Sequence, residues 1–356
     1  MPTIRALVYH HVGREGAGIE IIEERVNLMK DALDDIGTSV WTLRVTMPPL
    51  EKPRERLGEI PKLAELSERL DVMIAALPLD SAKDAKNILE AISSAPRIYS
   101  SFLLRGDKDI NDFVDFLLNN VNLEPIVFTR VAAITLRRIT TPYFPAASSG
   151  DVAGLSASLR YVDLLEKEII EGRDELMTYL KDLDLILSSI ADRVGIKWMG
   201  FDLSPSPWME ESVASLIERI SGTNFPGPGS AFAIALLNER VNEIIERSGI
   251  PTLGFNEVML PVGEDELLMR RVEEGELTAW NLADLSAYCV AGVDMVPFSV
   301  EEEEVKKSLR GLTLDVLSAS RLKLKPLGLR LIPVHEEPRK RVELGKFGRV
   351  PVVPLS

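Results

Sequence analysis

Four side chains in the second half of the chain could perform chemistry together: Asp202, Glu257, Asp294 and His335. Each stands at or near a segment that reads as a strand, so strands sharing a direction would bring all four to one rim. Three carboxylates and an imidazole suit acid–base catalysis, and Asp202, Glu257 and Asp294 would suit a divalent metal ion. Separate caps and salt bridges are the competing reading, because acids at strand ends often serve only that purpose. Cys289, the only cysteine in 356 residues, lies five positions before Asp294 at a helix-to-strand junction. A reactive thiolate needs a cation or a helix N-terminus beside it. The periodicity puts Cys289 at a helix C-terminus, where the dipole opposes the anion, so a small core residue is the stronger reading and a nucleophile the weaker.

Two loops could hold a ligand. Thr141-Pro142-Tyr143-Phe144-Pro145 has its backbone fixed by two prolines and carries two aromatics that are costly to expose. Thr141 and Tyr143 would line either a ligand wall or an aromatic plug. Gly227, Gly229 and Ser230 open a helix, where free amides and the helix dipole could bind an anion; a plain cap has the same composition. His10 and His11 end the first strand on opposite faces, which suits structural histidines better than a shared ligand site.

The elements that must position these groups alternate. Strands are expected at 3–11, 40–45, 72–77, 97–104 and 125–134, with amphipathic helices between them, the pattern of a parallel sheet with right-handed crossovers. After a boundary at 148–151 the periodicity predicts a helix from 155 to 169. A second helix follows, whose Leu176, Leu180, Leu183, Leu187, Ile190 and Val194 form a seam for packing within the chain or against a second copy. Further strands are expected at 196–203, 252–262, 293–298, 328–334 and 349–353. Helices should begin at Pro207 after a Ser206 cap, and at a capping box over Ser299-Val300-Glu301-Glu302, with another helix at 279–289. Two sets of five strands can close as an α/β barrel of about ten strands in two parallel five-stranded halves with outer helices. That would be one domain over 1–356, with halves 1–147 and 151–356.

Composition narrows the partners. A net charge of −14 disfavours nucleic acid and anionic membranes, and no apolar run reaches the roughly 18 residues of a spanning helix. The cytoplasm is the expected location. One cysteine allows no internal disulfide. No glutamine occurs at all, which fits depletion of thermolabile residues and predicts a thermophilic source. Neither a P-loop nor Gly-x-Gly-x-x-Gly stands at a strand–helix turn.

Several stretches together resemble a known family. They are residues 141–147, Asp202-Leu203-Ser204 with Ser212-Val213, residues 225–230, and Met259-Leu260-Pro261-Val262. Cys289 with Gly292-Val293-Asp294-Met295-Val296-Pro297 and residues 330–334 continue the series. They cover nearly the whole chain in order and resemble the archaeal and bacterial family designated domain of unknown function seven-eleven. That resemblance implies a barrel similar to the pyruvate formate-lyase type of glycyl radical enzyme, and no established activity. The radical enzymes' Arg-Val-x-Gly-aromatic motif has its nearest match at Arg349-Val350-Pro351-Val352-Val353, with Val352 in the glycine's place, so the chain reads as radical-incompetent. Val290, where that family's pattern has glycine, also departs from it. The resulting expectation is an enzyme acting on a small anionic metabolite by carboxylate or metal-assisted acid–base chemistry. The alternative is a non-catalytic binding or regulatory protein, and in either case a homo-oligomer.

Overall fold

The computed structural model describes residues 3–13, 18–50, 54–83, 86–172 and 175–356. Its first half follows the alternation read from the sequence. The strands β1 (Thr3–His10), β2 (Val40–Thr46), β3 (Val72–Leu79), β4 (Ile98–Leu104) and β5 (Val131–Thr135) are joined through helices. They lie side by side in the order 5-4-3-2-1, all parallel. Apolar residues on one face, among them Leu7, Val45, Ile74 and Ile98, pack against the helices. Residues Thr42, Arg44, Met73, Tyr99 and Ala132 share the opposite face by register. The fifth strand begins later than expected, because Pro125 starts a helical turn over Pro125–Phe128, a position where its missing N–H costs nothing.

The expected helix from 155 to 169 is corrected. Gly154–Arg160 is a strand, β6, and the helix runs only from Val162 to Glu171. Leu155 and Leu159 are four apart, a spacing that satisfies both a strand and a helix face, while Ser156 and Ser158 occupy the alternate positions. β6 pairs antiparallel with β1, and β7 (Lys197–Asp202) follows parallel to β6. Against β6, β1 has one extra residue, Arg5, between Ile4 and Ala6; such a bulge re-aims the side chain. At the other edge β11 (Gly328–Leu329) pairs antiparallel with β5, completing an eight-stranded sheet.

The remaining strands are short: β8 (Met259–Pro261), β9 (Ala291–Asp294), β10 (Val296–Ser299), β12 (Leu331–Val334), β13 (Arg341–Glu343) and β14 (Arg349–Pro351). β8 with β9 and β10 with β12 are parallel, and β13 with β14 is a hairpin. Backbone bonds tie these pieces to the large sheet. Leu253 N–H donates to Phe201 O (3.0 Å), Met259 N–H to Pro205 O (3.0 Å), Gly328 N–H to Val290 O (3.0 Å) and Arg330 N–H to Val293 O (3.0 Å). The helix Leu176–Val194 buries its leucine seam within the chain. No described helix is long and apolar enough to cross a membrane.

Two helix starts and one helix end are also corrected. Ser212, not Ser206, caps the helix Val213–Ser221, its Oγ accepting from Ser215 N–H. Ser299 ends β10 and the next helix begins at Val305, so none of the four glutamates 301–304 lies in its first turn. The helix from Ala279 stops at Leu285, leaving Cys289 in the turn before β9.

Asp202, the last residue of β7, holds the chain crossings of the second half. Its Oδ2 accepts from Thr141 Oγ1 (2.7 Å) and Phe255 N–H (2.8 Å), and its Oδ1 accepts from Ser204 Oγ (2.6 Å) and from the N–H groups of Ser204 and Asn256 (3.1 Å each). It is fully buried, and burial raises its pKa even against these bonds. Gly254 must lack a side chain here: a Cβ would sit 2.0 Å from Asp202 Oδ2. Asp202→Ala should therefore strand several buried donors and lower the unfolding free energy in urea by at least about 3 kcal/mol. An unchanged denaturation midpoint would contradict the clamp.

Candidate functional site

Because β6 turns back against β1, the amino ends of β1–β5 and the carboxyl ends of β7, β8 and β9 meet at one place. A cavity lies there, of about 920 Å³ counting its open mouth. Early residues of the first strands line it: Arg5, Thr42, Arg44, Met73, Tyr99 and Ala132. Facing them are Ser206 and Trp208 beyond β7, Pro261 ending β8, Asp294 ending β9, and Arg330 between β11 and β12. Carboxyl ends of strands are where α/β folds usually place ligand groups. Lys346 and Phe347, on the turn joining β13 to β14, close one side.

Among the described residues the wall carries Arg5, Arg44, Arg330 and Lys346 against Glu264 and Asp294, a formal excess of two positive charges inside a chain whose net charge is −14. Arg330 is the hub. Its Nε donates to Asp294 Oδ1 (2.7 Å), while its Nη2 donates to Asp294 Oδ2 (2.9 Å) and Glu264 Oε1 (3.0 Å). Arg5 bonds the other oxygen of Glu264 and also donates to Ser206 Oγ (3.0 Å) and Pro207 O (2.9 Å). Burial alone would raise the Glu264 pKa; the charges of Arg5 and Arg330, with Lys346 adding, outweigh it and hold this acid below its ordinary value. Arg330 shows the reverse balance: burial opposes its charge, yet Asp294 and Glu264 raise its pKa.

Arg44 and Lys346 differ from these. Arg44 is buried; it donates from Nε to Thr42 Oγ1 (3.0 Å) and from Nη1 to Pro142 O (2.9 Å), and its guanidinium lies 5.2 Å from the Phe144 ring centre. It has no carboxylate partner among the described residues. Burial first, then the neighbouring Arg5 charge, bring its pKa down to about 10. Lys346 has neither hydrogen bond nor ion pair among the described residues; its ammonium stands 5.0 Å from the Phe347 ring. Loss of hydration, followed by the Arg44 charge, lowers its pKa to about 8. Around these cations stand Trp41 and Trp208, edge to face at 4.6 Å, and Tyr99 and Phe144 at 5.3 Å.

Of the residues expected from the sequence, Asp294 and Tyr143 line this cavity. Tyr143 donates to Ser204 O (2.9 Å). Thr141 serves Asp202. Glu257 is paired with Lys323 and Lys325 at 2.6 Å each. Exposed His335 meets Glu301 at 2.9 Å, so the four polar groups expected on one rim have separate partners. Among the described residues no three of His, Cys, Asp or Glu are grouped to hold a metal ion. Cys289 is fully buried, and burial pushes its thiol up to about 12, against any thiolate at neutral pH. Gly227, Gly229 and Ser230 start the helix Ser230–Ser248 as expected but stand outside the cavity. His10 is buried between Thr46 Oγ1 (2.7 Å) and Ser156 Oγ (2.6 Å), and burial lowers its pKa to about 3. His11 Nδ1 lies 3.2 Å from Tyr9 Oη.

The sequence reading passed over Arg5, Arg44, Arg330, Glu264 and Lys346. A usable signal existed for the arginines. Each sits between two aliphatic residues, in Ile4-Arg5-Ala6, Leu43-Arg44-Val45 and Leu329-Arg330-Leu331, where a charge buried with its neighbours demands a partner or a ligand.

Two stability predictions follow from the geometry. Removing the hub in Arg330→Met leaves Glu264 and Asp294 as uncompensated buried acids and should cost about 3–5 kcal/mol at pH 7. Part of that loss should be regained in acid, where Glu264, no longer held by Arg330, takes up a proton; a variant as stable as the parent at pH 7 would contradict the hub. For His10, the folded pKa lies below the unfolded value, so its contribution is complete above about 6.5 and is lost as pH falls from there towards 3. His10→Asn should flatten that limb of the stability–pH curve in chemical denaturation.

Comparison with known proteins finds a family match in the second half and relatives that align over most of the chain. The family described as Uncharacterised ACR (DUF711) matches residues 168–340. A UPF0210 protein of Pyrobaculum arsenaticum is 33% identical, over 90% of this chain and 80% of its own. One from Sulfurisphaera tokodaii is 24% identical over 95% of this chain and 84% of its own. A third, from the bacterium Lactobacillus helveticus, is 29% identical over 43% of this chain and 34% of its own. With a relative so similar over nearly its full length, the chain belongs to this uncharacterised UPF0210 (DUF711) family.

Proposed function

We propose that the protein is an enzyme that binds a small organic anion in the cavity, with Arg44 and Lys346 holding the negative group. The observation that carries this is Arg44, a buried guanidinium with one face towards an aromatic ring and no carboxylate partner among the described residues. A buried charge of that kind is costly without a partner, and an incoming carboxylate or phosphate would supply one in bidentate geometry. Asp294, oriented by two bonds from Arg330, is the carboxylate that would exchange a proton with the bound anion; this acid–base reading uses no bound cation.

The same proposal includes the scaffold. Backbone bonds lead from β7 through residues 251–253, β8 and β9 to β11 and so back to β5. This circuit supports a closed barrel of about ten strands in two antiparallel-facing halves, similar to the pyruvate formate-lyase type. The cavity would be its interior.

A thermal-shift titration with small carboxylates and phosphates tests the site, since a ligand for the native state raises stability by mass action. Arg44→Met should abolish the shift. The shift of the unaltered protein should shrink as pH rises through about 8, where Lys346 loses its proton, and Lys346→Met should remove that pH step. Asp294→Asn should bind the anion equally or more tightly, because it removes a negative charge, while ending turnover. Full anion binding by Arg44→Met would overturn the proposal.

A further inference from the structure

A second chamber adjoins the cationic cavity, about 1330 Å³ counting its mouth. The two share Met73, Tyr99, Thr129, Lys346 and Phe347 along their walls, so they adjoin at these residues. The characters of the two differ. Beyond the shared residues the second chamber presents Leu123, Ile126, Val127 and Leu344. Two arginines and Glu124 also line it: Arg97 pairs with Asp71 at 2.5 Å, while Arg130 Nη1 donates to Ala95 O at 2.7 Å and its buried Nε has no hydrogen-bond partner among the described residues. Ile126, on the chamber's wall, is 41% exposed, an apolar side chain facing solvent on the rim. The Tyr99 and Phe347 rings and the flexible Met73 thioether line both chambers, an apolar and adaptable boundary between them.

We infer that the ligand is an amphipathic anion. Its charged group sits against Arg44 and Lys346, and a hydrocarbon tail runs past Tyr99 and Phe347 into the second chamber. This inference rests on the anion site proposed above and adds the substrate class: medium-chain carboxylates or alkyl phosphates, not compact polar metabolites. The juxtaposition explains a cationic cavity that adjoins a mostly apolar one, since ligand sites pair a few placed polar groups with an apolar lining. It also assigns a role to the turn at Lys346 and Phe347, which touches both parts of such a ligand: ammonium to head, ring to tail.

The test is calorimetric titration of the full chain with straight-chain carboxylates from acetate to decanoate, each below its micelle concentration, with alkanols of equal length as neutral controls. Burying each methylene should tighten binding by up to about fourfold until the chamber is filled, and the alkanols should bind at least tenfold more weakly. Ile126→Glu, a substitution on the chamber's rim, should leave acetate and butyrate binding unchanged and reduce the gain with chain length. Short anions that bind as tightly as long ones would overturn the inference while leaving the anion site standing. Undiminished chain-length dependence in Ile126→Glu would place the tail elsewhere and also overturn it. No binding by any anion would remove the site and the inference together.

Discussion

Arg330 is the interaction on which the second half depends. Two carboxylates, Glu264 and Asp294, come from different segments of the chain and converge on one guanidinium. Arg5, supplied by the first strand, completes the chain of charges through the far oxygen of Glu264. Each ion would be expensive to bury alone, and each is stabilised only while the others are in place. The network therefore ties β1 to the turn after β8, to β9 and to the break between β11 and β12. It also fixes the direction of the Asp294 carboxylate towards the cavity. A structural network and a candidate reactive group share the same atoms.

The position of the cavity is a consequence of strand direction. β1 to β5 run one way, and β6 and β7 run the other because β6 pairs antiparallel with β1. Amino ends from the first half and carboxyl ends from the second thus face a common opening. The first half contributes arginines set one or a few residues into its strands, and the second contributes acids at strand ends. Asp202, one strand end away, has every oxygen committed to loop donors and acts as a fastener. Asp294 binds Arg330 through both oxygens and still lines the cavity, its side chain 17% exposed. The same residue type at equivalent places in two strands has different work because of what lies beside it.

Much of the first-half architecture was legible because each strand is bounded by a helix with a clear apolar stripe, as at Ile22, Val26, Met29 and Leu33. β6 was not, since Leu155 and Leu159 satisfy two periodicities and the serines between them gave no contrast. The shorter strands β8 and β9 owe their geometry to Asp202 and to neighbouring backbone, which no local pattern encodes. Within the site, Asp294 and Tyr143 could be found as polar or aromatic residues at strand ends and turns. Lys346 could not: it comes from a hairpin turn distant in sequence, and it becomes distinctive only beside Arg44. Glu264 likewise looks like an ordinary helix-start acid until Arg5 and Arg330 are seen around it.

The cavity's unneutralised positive charge is the central claim, and anomalous diffraction from crystals soaked in selenate measures it directly. Selenate carries two negative charges and a strong selenium signal, and it fits a guanidinium–ammonium pair by charge-assisted hydrogen bonds. A selenium peak should appear in the cavity within hydrogen-bonding reach of Arg44 and Lys346, and should be absent from crystals of Arg44→Met. Selenium peaks confined to surface lysines and arginines, with the cavity empty at the same soak concentration, would contradict it.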